Sequence, residues 1–404
     1  MQDADRLREV ANDCVHCGFC LPACPTYQLW AEEMDSPRGR IYLVNQILDG
    51  AELTPAAVQH FDRCLGCMAC MTACPSGVQY DQLIEAARVW TEEARPALPA
   101  PADGNRTVRD RAARAAIFAL FPYPRRLRAM TRPLRAAQRT GLDRRLARSS
   151  LPGRLSPVLG AALRLAPPSS AAGRHGAAGA GRLPDRVAAR GPRRAVVGML
   201  TGCVQSVFFP QVNAATARVL ALEGCDVIIP RAQGCCGALS LHSGREAEAM
   251  AFARRTIETF ERAGVDTIVV NSAGCGSAMK EYERLLSGDP DWTGRAAALS
   301  GRVRDLSEFL AELGPAAPRH PLPVTAAYHD ACHLGHAQRI TRQPRELLRA
   351  IPDLTLVELP DAGTCCGSAG VYNLLQPEAA SELGVRKAQA VLAAGAPLLI
   401  SANP

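Results

Sequence analysis

The feature that most constrains this 404-residue chain is a cysteine spacing that occurs twice near its start. The pattern Cys-x2-Cys-x2-Cys-x3-Cys-Pro begins once at Cys14 and once at Cys64. A cubane of iron and sulfur needs four thiolates in a tetrahedral array, and two-residue gaps let one tight loop offer three of them. The proline that follows each fourth cysteine ends the loop. The spacing therefore predicts metal-cluster sites within residues 1–95.

Bacterial ferredoxins carry this run, and in them the fourth cysteine binds the other cluster. By that rule one [4Fe-4S] cluster takes Cys14, Cys17, Cys20 and Cys74, and the other takes Cys64, Cys67, Cys70 and Cys24. The alternative is a pair of zinc ribbons, which favour two Cys-x2-Cys pairs across a longer gap and leave the Cys-Pro unexplained. Two clusters on shared loops conduct electrons, so no catalytic residue is predicted here.

Cysteine distribution and composition divide the chain into four regions. We predict a two-cluster ferredoxin-type domain at 1–95, an Arg-rich helical and linker region at 96–193, and two cysteine-containing repeats at 194–320 and 321–404. The expected fold is α/β overall, with a helical N-terminal domain and parallel sheets in the repeats. Ser36 followed by Pro37 predicts the start of a helix that runs to about Leu48.

The region between residues 101 and 195 is strongly basic, with 21 Arg against four acidic residues. Helical spacing is predicted over Thr107–Leu120 and Arg125–Arg139, and a linker composition runs from Leu151 to Pro192. The helical pattern and the position between two redox domains favour docking to an acidic partner over nucleic-acid binding, and leave peripheral membrane association open. The charged start, the clustered cysteines and the lack of an apolar run near ~18 residues predict a cytoplasmic protein. The sequence has no Gly-x-Gly-x-x-Gly dinucleotide fingerprint.

The C-terminal half contains an internal repeat. Strands alternate with amphipathic helices in both halves, which predicts a parallel sheet in each. The predicted strands are 195–200, 226–229 and 267–270 in the first half and 324–328, 354–358 and 397–401 in the second. The predicted helices are 213–223, 244–263 and 277–286 in the first half and about 343–350 and 377–394 in the second. Cys203 matches Cys332, and the Cys-Cys-Gly at Cys235 matches that at Cys365 after gaps of 31 and 32 residues. Duplication explains this correspondence. Cys225 lies outside the pattern and is expected to be buried.

Two ferredoxin motifs followed by two Cys-Cys-Gly repeats resemble the iron–sulfur subunits of flavin-linked 2-hydroxyacid dehydrogenases. That family includes subunits that serve glycolate, lactate or glycerol-3-phosphate oxidation, and also heterodisulfide reductases; the resemblance is greatest to the glycolate branch. It rests on Cys14-Val-His-Cys-Gly-Phe-Cys20, Cys24-Pro-Thr-Tyr-Gln28, Pro37-Arg-Gly-Arg-Ile-Tyr-Leu43, Asn213-Ala-Ala-Thr-Ala-Arg-Val-Leu220 and Cys365-Cys-Gly-Ser-Ala-Gly370.

In the heterodisulfide reductase branch, each repeat supplies a lone Cys, a Cys-Cys pair and a final Cys-x-x-Cys to an unusual cluster. The resemblance thus implies an additional site at Cys203, Cys235, Cys236 and Cys275, and at Cys332, Cys365 and Cys366. Ala278 replaces the last ligand of the first repeat, and the matching Gly-Cys of the second would fall just past Pro404. A further cluster, buried structural thiols and a redox-active thiol pair all stay open. His329, His333 and His336 are expected to position or pack rather than to bind metal.

The resemblance implies an electron-relay subunit that is inactive alone. It would accept electrons from a flavin on a partner flavoprotein that oxidises glycolate to glyoxylate, and pass them to quinone or another acceptor. The alternatives are the equivalent subunit for lactate or glycerol-3-phosphate, or a thiol/disulfide reductase that acts at the Cys-Cys-Gly repeats.

Overall fold

The computed structural model describes residues 4–95, 108–149, 152, 157–166 and 183–403. Its first segment is helical, with α1 (Ala4–Asn12), α2 (Pro25–Trp30), α3 (Pro37–Leu48), α4 (Pro55–Arg63), α5 (Ala69–Ala73) and α6 (Tyr80–Ala94). The Ser36 hydroxyl accepts a hydrogen bond of 3.0 Å from the Gly39 N–H and caps α3, as predicted. Both cysteine motifs lie in the loops between these helices, around a core that includes Phe61 and Leu83.

The middle region forms α7 (Val108–Leu120), α8 (Pro124–Thr140), α9 (Leu142–Arg148) and α10 (Pro157–Leu165). The two helices expected here are present, although Thr107 lies outside the described residues. Much of the stretch with a linker composition also lies outside them, namely 151, 153–156 and 167–182. The rest of that stretch contains α10 and a short strand, which its composition did not indicate. None of the described helices has both the length and the apolar character that crossing a bilayer requires.

The first repeat forms a five-stranded sheet of β1 (Arg186–Val187), β2 (Ala195–Met199), β3 (Cys225–Ile228), β4 (Thr267–Val270) and β5 (Val303–Asp305). The spatial order is β1-β3-β2-β4-β5; β1 is antiparallel and the other strands are parallel. The strands β1 and β5 were not predicted, because two or three residues carry no readable alternation. The described helices of this repeat are α11 (Gln205–Phe208), α12 (Pro210–Leu222), α13 (Ala238–Leu241), α14 (Glu246–Ala263), α15 (Ala273–Lys280), α16 (Tyr282–Leu285), α17 (Pro290–Ser300) and α18 (Leu306–Leu313).

The second repeat forms a smaller parallel sheet in the order β7-β6-β8, with β6 (Val324–His329), β7 (Leu354–Glu358) and β8 (Leu398–Ser401). Its described α-helices are α19 (Arg342–Arg349), α20 (Tyr372–Leu375) and α21 (Pro377–Ala393). The predicted α/β class, with a helical N-terminal domain and duplicated parallel sheets, is confirmed. The helix predicted over 277–286 is divided in the structure: α15 ends at Lys280 and α16 begins at Tyr282, because Glu281 leaves helical geometry, at φ −103° and ψ 7°.

A buried ion pair joins the N-terminal domain to the first repeat. Arg284 of α16 donates a hydrogen bond of 2.7 Å to Glu85 of α6, whose side chain is only 2% exposed. Burial alone would raise the pKa of Glu85, but Arg284 and then His242 outweigh it and lower that pKa to about 2. Glu85 is therefore held as a carboxylate against the repeat.

Replacing Arg284 with Met should destabilise the protein by roughly 3 kcal/mol, because it leaves the Glu85 charge buried with only His242 beside it. The matched control is Arg262→Met, which breaks the exposed pair with Glu258 and should cost under about 1 kcal/mol. Thermal or urea unfolding of the anaerobic protein measures both. Equal stability of the two variants would contradict a structural role for the Glu85 pair.

Candidate iron–sulfur site

The structure brings the first three cysteines of the first motif together with the last cysteine of the second. Cys14, Cys17, Cys20 and Cys74 line one small cavity of about 30 Å³, which also borders Cys70. Cys17 is exposed and the other three members are partly exposed. We call these four residues the exposed set.

The remaining four cysteines of the two motifs form a buried set: Cys24, Cys64, Cys67 and Cys70. Each of them is at most 8% exposed. Burial raises the pKa of Cys70 well above its usual value, and Cys67, Cys64 and Cys24 raise it further because their thiols are close. Cluster iron would offset this rise in pKa, because it binds the cysteines as thiolates. Four thiols in each set suit a [4Fe-4S] cluster in the crossed pattern that the spacing predicts.

Backbone and side-chain donors also fit sulfur ligands. The Gly66 N–H donates to Cys64 Sγ at 3.4 Å, and the Tyr80 hydroxyl lies 3.6 Å from the same sulfur. Donors of this kind tune the potential of iron–sulfur clusters. Among the described residues, no three His, Cys, Asp or Glu side chains form a ligand group for a single metal ion.

A buried cation lies between the two motifs. Arg40 is 1% exposed; its guanidinium donates to the Thr26 hydroxyl, to Asp35 and to the His60 carbonyl. Burial alone would lower the pKa of Arg40, but Cys64 and other neighbours raise it. Arg40 therefore carries its charge beside the buried set and is not part of an exposed helix start.

Arg38 has a similar role at the exposed set. Its guanidinium donates to the His16 carbonyl at 3.1 Å and pairs with Glu33. An added Cβ at Gly18 would lie 3.0 Å from Arg38 Nη1, so the glycine lets this cation approach the loop. His16 is exposed, and its backbone, at φ 53°, helps to shape the loop.

The cysteines of each repeat gather because parallel strands end at the same edge of a sheet. Cys203 follows β2, the Cys235–Cys236 pair follows β3 and Cys275 follows β4. Cys203 Sγ lies 3.5 Å from Cys235 Sγ. Hydrogen bonding from Cys275 lowers the pKa of Cys236, although contact with Cys235 and burial raise it overall. The four cysteines of the first repeat thus form one group.

The glycine of each Cys-Cys-Gly is required for the same structural reason. Gly237 and Gly367 have φ of 89° and 80°, in the left-handed region that favours glycine. A Cβ at Gly237 would lie 3.0 Å from the Ala249 carbonyl oxygen, and one at Gly367 would lie 2.7 Å from that of Ala380. In both repeats a helix therefore packs directly on the turn that carries the paired cysteines.

A buried amide network supports the loops of the first repeat, and sequence reasoning missed it. Gln205 Nε2 donates to Asn213 Oδ1 at 2.9 Å and to Asn271 Oδ1 at 2.8 Å, and Asn213 donates to the Thr201 carbonyl at 2.8 Å. Gln233 accepts from the Thr201 N–H at 2.7 Å. The signal in the sequence was a set of amides that follow strand ends.

The buried set contacts the second repeat directly. A hydrogen bond from Cys365 lowers the pKa of the Cys67 thiol, and Cys365 also contacts Cys332 and Cys366. Tyr372 donates to the Arg63 carbonyl at 3.1 Å, immediately before Cys64. One cavity of about 1120 Å³ is lined by Cys64 and by all seven repeat cysteines of the additional site: Cys203, Cys235, Cys236, Cys275, Cys332, Cys365 and Cys366.

The three histidines near Cys332 make hydrogen bonds. His333 Nε2 lies 2.9 Å from the Gly66 carbonyl oxygen. His336 bonds both to the Thr72 hydroxyl and to the Gly363 carbonyl, each at 2.8 Å, and His329 Nδ1 lies 3.3 Å from Ser401 Oγ. His333 and His336 thus attach the second repeat to the loop of the buried set. Cys225 is fully buried among apolar residues of the first sheet.

Known proteins resemble this chain along nearly its whole length. Residues 10–78 match the family described as a 4Fe-4S dicluster domain, 109–166 match the linker region of the glycolate oxidase iron–sulfur subunit, and 197–280 and 326–404 match a cysteine-rich domain. A probable glycolate oxidase iron–sulfur subunit of Bacillus subtilis is 36% identical over 97% of this chain and 86% of its own length. The chain belongs to the family of glycolate oxidase iron–sulfur subunits.

Other relatives indicate how specific this assignment is. The glycolate oxidase iron–sulfur subunit of Escherichia coli is 35% identical over 98% of the chain and 88% of its own length. Lactate utilization protein A of an Exiguobacterium species is 33% identical, but over only 51% of this chain. As a member of the glycolate oxidase family, the chain is an electron-transfer iron–sulfur subunit of an oxidoreductase complex.

Cys70→Ser should remove about four irons per chain and weaken retention of the rest, because its loop also bears Cys74 of the exposed set. The matched control is Cys225→Ser, since that thiol is buried away from both sets and its loss should leave the iron content unchanged. Iron and zinc analysis of anaerobically purified full-length protein, with paramagnetic resonance of the reduced form, measures this. One zinc per motif without a cluster signal would contradict the assignment.

Proposed function

We propose that this chain is the electron-relay subunit of a flavin-dependent complex that oxidises glycolate to glyoxylate. The flavin is carried by a partner flavoprotein, and a quinone accepts the electrons at the cytoplasmic side of the membrane. The observation that carries the proposal is the asymmetry of the two thiol sets: one meets solvent, and the other meets the large cavity.

When bound, [4Fe-4S] clusters accept and release single electrons. The exposed set (Cys14, Cys17, Cys20, Cys74) would hold the first cluster, and the buried set (Cys24, Cys64, Cys67, Cys70) the second. Arg38 and Arg40 offset negative charge at the two sets. The seven repeat cysteines would hold a further cluster, which suits their position at the strand edges.

The exposed set is the side from which a donor would reach the chain. Its loop presents Val15 and Phe19, which are 69% and 66% exposed, on either side of exposed Cys17. Large apolar side chains exposed beside a redox site are typical of a protein interface. We therefore assign this loop to the flavoprotein.

The second candidate function is thiol or disulfide chemistry at the repeats, which the clustering of seven cysteines on one cavity favours. Disulfide reduction by the isolated chain would support it. The equivalent role in lactate oxidation is less favoured, because the lactate utilization proteins match only half of the chain.

Cys17→Ser in the assembled complex should abolish glycolate-dependent reduction of the physiological acceptor, since it removes a ligand of the exposed set. Flavin reduction by glycolate in a single turnover should persist, because the cofactor that removes the hydride lies on the partner. Stopped-flow absorbance of flavin and acceptor measures both steps. Loss of flavin reduction in an assembled complex would show that this subunit takes part in substrate chemistry.

Phe19→Glu should weaken binding to the flavoprotein by about tenfold or more, because it places a charge in an apolar contact. Leu392→Glu is the matched control: Leu392 is 78% exposed on α21, away from both thiol sets. Titration of the purified partner onto each variant, with iron content checked first, gives the affinities. Equal weakening of binding by both substitutions would contradict the assignment of this loop to the flavoprotein interface.

A further inference from the structure

The large cavity has two chemically distinct ends. Its floor is formed by the cysteine loops described above, whereas its mouth is bounded by helices of the middle region, which carry no cysteine. Its volume of about 1120 Å³ slightly exceeds the range for sites that bury a small molecule, roughly 300–1,000 Å³. The cavity therefore has room beyond what the thiols need.

The mouth is apolar along one face of α8. Leu127, Met130, Thr131 and Leu134 line the cavity at helical spacing. Across from them, α10 contributes Val158, Ala162 and Leu165, and the end of α7 adds Leu120 and Phe121. Met130 and Leu165 are both more than half exposed, so the apolar lining continues to the protein surface.

The adjacent face of α8 is basic. Arg128, Arg132, Arg135 and Arg139 recur at intervals of three and four residues and are all exposed, and α8 contains no acidic residue. An amphipathic helix with an Arg face beside exposed apolar residues is typical of contact with an anionic membrane. The mouth of the cavity thus opens next to a surface suited to lipid.

The floor of the cavity borders the buried set and also carries side chains that can form hydrogen bonds. Cys64 lines the cavity, so the buried set lies at its wall. His242 and His333 also line it, and their rings meet edge to face at 5.0 Å. His242 Nε2 and His333 Nδ1 are buried and make no hydrogen bond within the described ranges. Buried polar atoms without partners require an explanation, and a ligand in the cavity that these rings line would supply one.

We propose that this cavity is the binding site of an isoprenoid quinone, which enters from the membrane between α8 and α10. The ring would lie beside His242 and His333, next to the cysteine loops, and the tail would lie along the apolar mouth. The inference rests on the proposed function: oxidation of glycolate to glyoxylate releases two electrons and two protons. The quinone takes up two electrons and two protons from solvent, and its two carbonyl oxygens become hydroxyls.

Ala162→Trp tests the site, because an indole at this exposed lining position fills the mouth without disturbing a packed core. It should lower the affinity of the assembled complex for a short-chain quinone by about tenfold, the size expected when bulk is forced into an occupied space. Ala136→Trp is the matched control, since Ala136 is exposed on α8 outside the cavity lining. Equilibrium binding of the quinone in detergent, without glycolate, is the measurement.

Unchanged affinity in Ala162→Trp, or an equal loss in Ala136→Trp, would overturn the site. Glycolate-dependent reduction of a small water-soluble dye should be the same in the wild type and both variants. Failure of the wild-type complex to reduce that dye would instead contradict the proposed function, and the binding experiment would still decide the quinone site.

A separate experiment tests whether the mouth of the cavity faces a membrane. The complex should sediment with vesicles that contain anionic phosphatidylglycerol, and Arg128→Glu with Arg135→Glu should lower this binding at least tenfold, because basic residues near the surface attract anionic lipid. Quinone binding in detergent should not change in that variant. Absence of vesicle binding by the wild type would overturn entry from the membrane and assign the basic face to an acidic protein.

Discussion

The arrangement of the molecule depends on one buried charge, the guanidinium of Arg40. It joins the loop that bears Cys24 to the end of α4, through Thr26, Asp35 and the His60 carbonyl. Asp35 is fully buried and also accepts from Arg63, next to Cys64. Two cysteine motifs that are forty residues apart in sequence are thereby held in one unit, and the cation offsets negative charge that burial would otherwise make costly.

Contacts between neighbouring loops position the rest of the site relative to that unit. The buried set meets Cys365 through Cys67, and His333 and His336 attach the second repeat to the same loop. The first repeat is held by the Glu85–Arg284 pair. Thiol groups that belong to three parts of the chain consequently share a single cavity, which local sequence spacing could not specify.

Sequence alone was sufficient where local chemistry decides the structure. The Ser36-Pro37 start of α3, the long helices α14 and α21 and the central strands β2, β4 and β6 all follow from capping and periodicity. It was insufficient where distant contacts decide: the Pro37-Arg38-Gly39-Arg40 start of α3 does not show that Arg40 is buried, because its burial comes from packing against α4. The crossed sets follow from the motif spacing, whereas the contact of Cys67 with Cys365 depends on how two domains dock.

The paired glycines carry a consequence for how such a chain can diverge. Gly237 and Gly367 are required by backbone geometry and by a helix packed against the turn, not by metal chemistry. Selection on folding would therefore retain them even after selection on the thiols had ceased. A descendant that kept both glycines and replaced the cysteines would still form the two sheets. Its glycines would then indicate descent from an electron-transfer protein, although it no longer transferred electrons.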